Sequence, residues 1–500
     1  MGWPERLDLS PLRHGRPPAH GVPRLSRRLC RHPVRHHRRV LPPRISPDAR
    51  GDEWRGDRGR FRRRGGSGDE GGGAPVSFAL VPRSASYTVL LVALASFGPL
   101  SMSIYSPVLP MVGASLGATP DDVKLTLTTY MLGFAAGQIF FGPLSDRFGR
   151  RPVLLVGLLL FALTSAGCAL AGTIGQLFVL RVMQGLCACA GSVIGRALTR
   201  DIYEFAELPR VMSWISIGVN VAPALAPLIG GHLGEWFGWQ ATFWALTAFG
   251  LGLFVIVALG VGETNKHRAV TLNLLGFARG SGEMLRDRRF LGFSLTMGFV
   301  FGINFGMMVA TPFILQDTLG FTPRTVGYLS VIGVVGFTLG GFANNRLIGR
   351  VRPTTILQVA PLFHIAGLSI IATLSIGGVL EWWSIMVPFM LCSFGSGLVV
   401  PNANAGAVGL YPRLAGTASS LVGLAQMGMG ALGTVAVAIT TGLGGHDRAL
   451  PLVGEWIGCT TKACAIPMPL ILAQLPFAFA ALLAARLLRG PRFPSTGQSA

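Results

Sequence analysis

FGPLSDRFGRRPVLL (Phe141–Leu155) packs Asp146, Arg147, Arg150 and Arg151 into one short turn, flanked on both sides by long apolar runs. Gly142, Pro143, Gly149 and Pro152 punctuate it. A charge-dense turn between apolar segments is what a chain shows where it leaves a bilayer and re-enters it. The rest of the sequence agrees. Of 500 residues, 50% are hydrophobic and 13% charged, where a soluble chain carries about 25% charge. The mean hydropathy is +0.52. Apolar stretches recur from Tyr87 onward, each near the ~20 residues that cross a bilayer as a helix. The 68 glycines suit close helix packing in lipid. The fold class is therefore all-α and integral to a membrane.

Twelve spans are predicted, at 87–114, 123–144, 152–171, 174–199, 207–234, 240–262, 290–315, 325–348, 354–374, 383–408, 414–441 and 467–489. The longest loop, 263–289, follows the sixth and carries six basic residues. This divides the chain into an N-terminal half (87–262), a cytoplasmic linker (263–289), a C-terminal half (290–489) and a tail (490–500). With the N-terminus inside, 19 basic residues beyond residue 86 fall in the inner loops and the C-terminal end. Only Lys124, Arg324, Arg448 and Lys462 fall outside, so the positive-inside rule supports both the count and cytoplasmic termini. Arg181 is left over, within a span.

Residues 1–86 are different. They carry 19 Arg against 8 acids, with five of the nine His, no apolar period and no signal-peptide pattern. They are expected to be a disordered basic arm, or Arg/Gly/Pro-rich sequence upstream of a start near Val76.

The quoted turn falls between spans two and three. Its pattern of Gly142, Asp146, Arg147, Gly149, Arg150 and Arg151 resembles motif A of the major facilitator superfamily. The resemblance implies twelve helices in two six-helix halves, with this turn as a cytoplasmic gate that holds the halves together in the outward-facing state. A faded copy, GGFANNRLIGRVRP, follows span eight, with Gly341, Asn345 and Arg346 in the matching places. The acid has become Asn, so this copy is expected to keep the turn and lose the charge pairing. In span four, LRVMQGLCACAGSVIGRALTRD resembles motif B through Arg181, Gln184 and Gly185. Arg181, Gln184, Ala188, Ser192 and Gly195 share one helical face. Arg181 sits ~10 Å deep by helical rise, so it is expected to face a cavity or partner, the alternative being to snorkel. In span five, SIGVNVAPALAPLIGG resembles the antiporter signature, motif C, through Pro223, Pro227, Gly230 and Gly231. GLVVPNANAGAVGLYPRLAGTASSLVG resembles the Bcr/CflA multidrug-efflux branch, as do GWQATFW and ATPFILQDTLGFTP.

One position departs from that branch. Ser103 stands where its first span usually carries Asp, and no other acid lies clearly mid-membrane. Proton coupling needs a group that titrates during the cycle. His364, in span nine, is the His read as a titratable candidate, and such residues more often serve as hydrogen-bonded packing. The charge of Arg181 must then be met by carbonyls near Pro107 or Pro223, by water, or by an anionic substrate group. Candidate cavity residues are Ser103, Tyr105, Gln138, Asn220, Asn304, His364, Gln426 and Gln474, with Phe305 and Trp214 as aromatic neighbours. Each polar one can equally serve as an interhelical hydrogen-bonding group.

No phosphate loop, Ser-His-Asp arrangement or metal cluster is present in the pattern, which argues against an enzyme or an ATP-driven pump. The expected function is secondary-active efflux of drugs or amphipathic molecules. No cofactor is expected, and the resemblance implies the proton as coupling ion. Export of one specific metabolite and a non-cycling membrane sensor are the alternatives. The expected partners are a small-molecule substrate and the lipid bilayer, not nucleic acid. The expected state is a monomer in a bacterial inner membrane. Cys459 and Cys464, in the last outer loop, are a candidate disulfide, two free thiols being the alternative.

Overall fold

A computed structural model describes residues 83–204, 207–265, 274–443 and 467–488. The basic arm up to residue 82, Cys459, Cys464 and the side chain of Asn220 lie outside the described residues.

Among the described residues the chain is helical. The first half comprises α1 (Ala85–Ser103), the short α2 (Leu109–Leu116), α3 (Pro120–Phe148), α4 (Arg150–Ala169), α5 (Ile174–Ile202), α6 (Leu208–Phe237) and α7 (Gln240–Gly260). After α8 (Leu274–Met284) the second half comprises α9 (Arg288–Phe313), α10 (Pro323–Leu347), α11 (Pro353–Ile376), α12 (Trp382–Leu410), α13 (Ala415–Leu443) and α14 (Met468–Arg486). Among the described residues, 11 helical segments are long and apolar enough to cross a membrane. The 30-residue α6 fills the place of the predicted fifth span. Predicted and observed ends agree within a few residues. Two differences have clear causes. The first span breaks after Ser103 into a turn at Ser106–Val108, because Pro107 and Pro110 remove backbone donors. The linker, read as a loop, contains α8.

The ends are set by local chemistry. Thr119 caps α3 by accepting from the Asp122 N–H, and Thr322 caps α10 by accepting from the Thr325 N–H. In both, the cap is followed by Pro at the first helical position. The same Thr-Pro start in equivalent helices marks an internal repeat. Packing repeats as well. In the first half α3 packs on α5, α4 on α5 and α7, and α1 on α5 and α6. In the second half α10 packs on α12, α11 on α12 and α14, and α9 on α12 and α13. The halves meet along two seams, α3 with α13 and α6 with α10, which the same repeat makes equivalent. The outward rims of the helices carry exposed apolar side chains such as Val156, Leu160 and Leu163 on α4, the surface expected against lipid chains.

Candidate functional site

Arg181 lies in the upper part of α5, where glycines bring α5 against α3. A side chain at Gly133 or Gly185 would run into the facing backbone of Val182 or Tyr130, and one at Gly137 would meet Cys189. Arg181 is wholly buried. Its guanidinium stands 4.6 Å from the ring of Tyr105, 4.5 Å from Tyr130 and 5.6 Å from Phe243. Its Nη1 donates to Gln184 Oε1 at 2.6 Å, and the Gln184 amide donates to Ser165 Oγ at 2.7 Å. Among the described residues Nε and Nη2 have no hydrogen-bond partner. Tyr130 OH pairs with Ser101 Oγ and donates to the Gly98 carbonyl, while Tyr105 OH accepts from Thr126. The cation is thus met by ring faces and one carboxamide, with no carboxylate among its hydrogen-bond partners. Snorkelling is not what the structure shows. Among the described residues its ring and hydrogen-bond contacts come from the first half: Tyr105 just after α1, Tyr130 of α3, Phe243 of α7 and, through Gln184, Ser165 of α4. The carbonyls near Pro107 and Pro223 are not its partners. Ala188, Ser192 and Gly195 are buried with Arg181 and Gln184, and Ser192 donates to the Ala95 carbonyl of α1. Ser103 is buried too.

Arg181 is not the sole basic residue in this helix. Arg196 lies within the predicted span, and α5 runs on to Ile202, past the predicted end at 199, so Arg200 is helical as well. Arg200 approaches the first turn of α13, its Nη1 3.9 Å from the Cβ position of Gly416.

The charged turn sits where α3 ends and α4 begins, with Gly149 at φ +105° supplying the reversal. Arg150 pairs with Asp146 at 2.5 Å and with Asp201 of α5 at 3.1 Å, and donates to Ser145 Oγ at 2.6 Å. The Glu263 carboxylate, beyond α7, accepts the N–H groups of Arg150 at 3.0 Å and Arg151 at 3.3 Å, capping α4. Arg151 donates to the Ala258 carbonyl at 2.6 Å, Arg147 stands over the Phe148 ring, and Asn265 donates to the Asp146 carbonyl. The knot ties α3, α4, α5 and the end of α7 together, all within the first half. Among the described residues its charged side chains make no ion pair with the opposite half. Gly142 faces open space, with nothing within 4 Å of an added Cβ. Sequence reading placed Asp201 and Glu263 among loop acids and missed their part. Their spacing from Arg150 carries no periodic signal.

The second copy keeps the geometry. Gly341 also faces open space, and Gly349 turns at φ +80°. Asn345 and Arg346 are exposed or partly so, and the polar tie is one residue earlier: buried Asn344 accepts from Asn402 of α12 at 2.5 Å.

Motif C lies on the α6–α10 seam. Pro223 and Pro227 are inside α6. Gly230 packs against the Ile104 carbonyl, Gly231 leaves an added Cβ 2.6 Å from the Pro323 carbonyl, and Gly327 leaves one 2.5 Å from that of Pro227. His232 contacts Tyr328 across the same seam at 3.3 Å. Nearby, Ser106 donates to the Met308 carbonyl at 3.0 Å and Gln316 to that of Pro107 at 2.7 Å. On the other seam Thr128 pairs with Thr434 at 2.6 Å, and Gln138 packs against Gly423.

In the second half Asn304 and His364 are brought together. Asn304 donates to Ser396 Oγ at 2.7 Å, and His364 Nε2 lies 3.0 Å from the same oxygen. This joins α9, α11 and α12. Gln426 is half-buried. Gln474 is buried and donates to the Gly433 carbonyl. Phe305 packs on Gly430 beside Met131, between the halves. Trp214 of α6, expected as an aromatic neighbour of the pocket, is 53% exposed.

A family profile described as Major Facilitator Superfamily matches residues 91–434. A bicyclomycin resistance protein homolog of Haemophilus influenzae is 30% identical over 67% of this chain and 84% of its own length. Multidrug resistance protein D of Escherichia coli is 30% identical over 74% of this chain and 94% of its own. The inward-facing, occupied crystal structure of a bacterial homolog of the human lysosomal transporter Spinster covers 81% of this chain and 96% of its own, with TM-score 0.62 and 16% identity, a likeness of fold. Profile, relatives and the twofold helix arrangement agree: the chain is a multi-pass membrane transporter belonging to the Major Facilitator Superfamily.

Proposed function

We propose that the chain exports amphipathic drugs or drug-like metabolites from a bacterial cytoplasm, in exchange for protons, by rocking its two halves about a site between them. The observation that carries this reading is the asymmetry of the interface. At one end the halves are sealed by Ser106–Met308, Pro107–Gln316, Thr128–Thr434 and the glycine contacts of α6 with α10. At the other end, among the described residues, the ion pairs of the charged turn stay in its own half and Gly142 is uncovered. Two seams that can separate at alternate ends are the minimum for alternating access. The basic residues gather at the charged-turn end, which supports assigning it, with both termini, to the cytoplasm. The structure is then closed to the outside. The reading takes the protein as a monomer in the inner membrane, without nucleic acid, cofactor or catalysis of its own.

In this mechanism the motif A turn is a switch. Here Asp146 pairs with Arg150 inside one half. In the outward-facing state the same charges would meet the first turn of α13, near which Arg200 already stands. Exposed ion pairs are individually weak, about 0–1 kcal/mol, so they can be exchanged in each cycle. Motif B supplies Arg181 as a buried cation whose aromatic box takes in the turn after α1 together with α3 and α7, so a change of charge near it acts on three segments at once. Names of relatives support drugs as cargo. Purified protein in vesicles, with an imposed proton gradient and bicyclomycin or a lipophilic dye outside or inside, tests the proposal. Uphill drug movement driven by the gradient is expected. Downhill movement alone, or none, would reject it.

A further inference from the structure

Lys124 reads in the sequence as an outer-side charge at the very start of span two. In the structure it is helical, in the second turn of α3, and 4% exposed. A buried lysine on a membrane helix needs a reason. Its Nζ donates to Asp121 Oδ1 at 2.8 Å and to Thr441 Oγ1, on α13 of the other half, at 2.7 Å. Thr441 in turn donates to the same Asp121 oxygen at 2.6 Å. The ring closes with each group in a role it can hold: the ammonium donates twice, the hydroxyl accepts once and donates once, and the carboxylate accepts twice. The Lys124 ammonium also stands 5.1 Å from the ring centroid of Phe313, at the end of α9. Among the described residues, the other ion pairs lie within one half, whereas this one shares a partner with the opposite half.

We propose that Asp121, Lys124 and Thr441 form a latch that holds the outer end closed, and that Lys124 sets the balance between outward-closed and outward-open states. The proposal rests on the alternating-access reading and its orientation. When α3 and α13 part, Lys124 loses Thr441 and the Phe313 face together, while Asp121 moves with it on α3. The latch therefore opposes opening without preventing it. Hydrogen bonds to charged groups are the stronger ones. Losing one cross-half bond should therefore shift the open population by tenfold or more.

The test needs no substrate. Ala431 lies further along α13, buried among side chains of the first half. The full chain carrying Ala431→Cys is exposed, in intact cells, to a membrane-impermeant maleimide, and modification of that position is followed by peptide mass spectrometry. Adding Thr441→Val, which keeps shape and removes the hydroxyl, should raise the labelling rate about tenfold, and so should Lys124→Gln. Asp122→Asn, at the neighbouring acid bonded to Thr119, should leave it unchanged. Thr441→Val serves alone if Lys124→Gln fails to reach the membrane. Unchanged labelling in Thr441→Val, or an equal rise in Asp122→Asn, overturns the latch. Because labelling is independent of cargo, failure of the drug-export reading would leave this result standing. Failure of the latch would leave gradient-driven transport intact.

Discussion

Replacing Arg181 should separate stability from transport. The guanidinium is wholly buried, with one hydrogen bond to Gln184 and three rings around it. Taking a cation out of water costs several kcal/mol even after relaxation. Against this stand one charge-assisted bond of about 1.5–3 kcal/mol and ring contacts of about 1 kcal/mol each. The opposing sums are of similar size. Arg181→Met, which fills the box and removes the charge, should therefore change unfolding stability by no more than about 2 kcal/mol in either direction, with the unpartnered Gln184 acceptor as its main cost. Transport should nonetheless fall more than a hundredfold, because the helices around the box lose the charge they respond to. Arg181→Lys keeps the charge but loses the planar fork that stacks on Tyr105 and Tyr130 while reaching Gln184. A loss of about 2 kcal/mol of that arrangement corresponds to roughly thirtyfold slower transport. Thermal unfolding in detergent and drug flux in vesicles, at equal protein level, measure the two quantities. Near-normal flux in both variants would refute the reasoning and leave Arg181 a packing residue. A collapse of stability in Arg181→Met would show that the box is structural.

Other consequences follow from the seams and the turn. Asp146→Asn should leave expression unchanged, since its carboxylate is 53% exposed, and slow efflux several-fold, read as initial rates at matched protein level. Gly327→Ala puts a methyl 2.5 Å from the Pro227 carbonyl, so the α6–α10 seam should fail to close and export should be lost while membrane insertion persists, measured by flux and membrane fractionation. Ser103→Asp places a carboxylate where the first span has none, and flux against pH should gain an inflection between about pH 5 and 8 that the parent lacks.

Much of the fold was legible because a bilayer demands long apolar runs and nothing else can supply them. Helix ends at Thr119-Pro120 and Thr322-Pro323 agree with the predicted spans within three residues, since cap chemistry is local. The break at Pro107 was hidden inside an apolar run that hydropathy cannot divide. The site was legible only in part. Motif residues could be named, and the burial of Arg181, Gln184 and Ser192 follows from helical spacing. Direction could not be read, because the same spacing serves a face toward the other half or toward α4 and α7. That is why the expectation for Arg181 stood at a cavity or a partner, and the structure supplies the partners, Gln184 and three rings. Lys124 and Asp201 were unreadable for another reason: their partners, Thr441 and Arg150, are distant in sequence and carry no pattern.

The central claim is exchange of a proton for a drug across two alternately closing ends. The most direct measurement is proton movement in sealed vesicles with a pH-sensitive dye inside, started by adding substrate without any imposed gradient. The account predicts substrate-dependent proton flux opposite to the drug, abolished in Arg181→Met. Drug movement with no accompanying proton flux would contradict it.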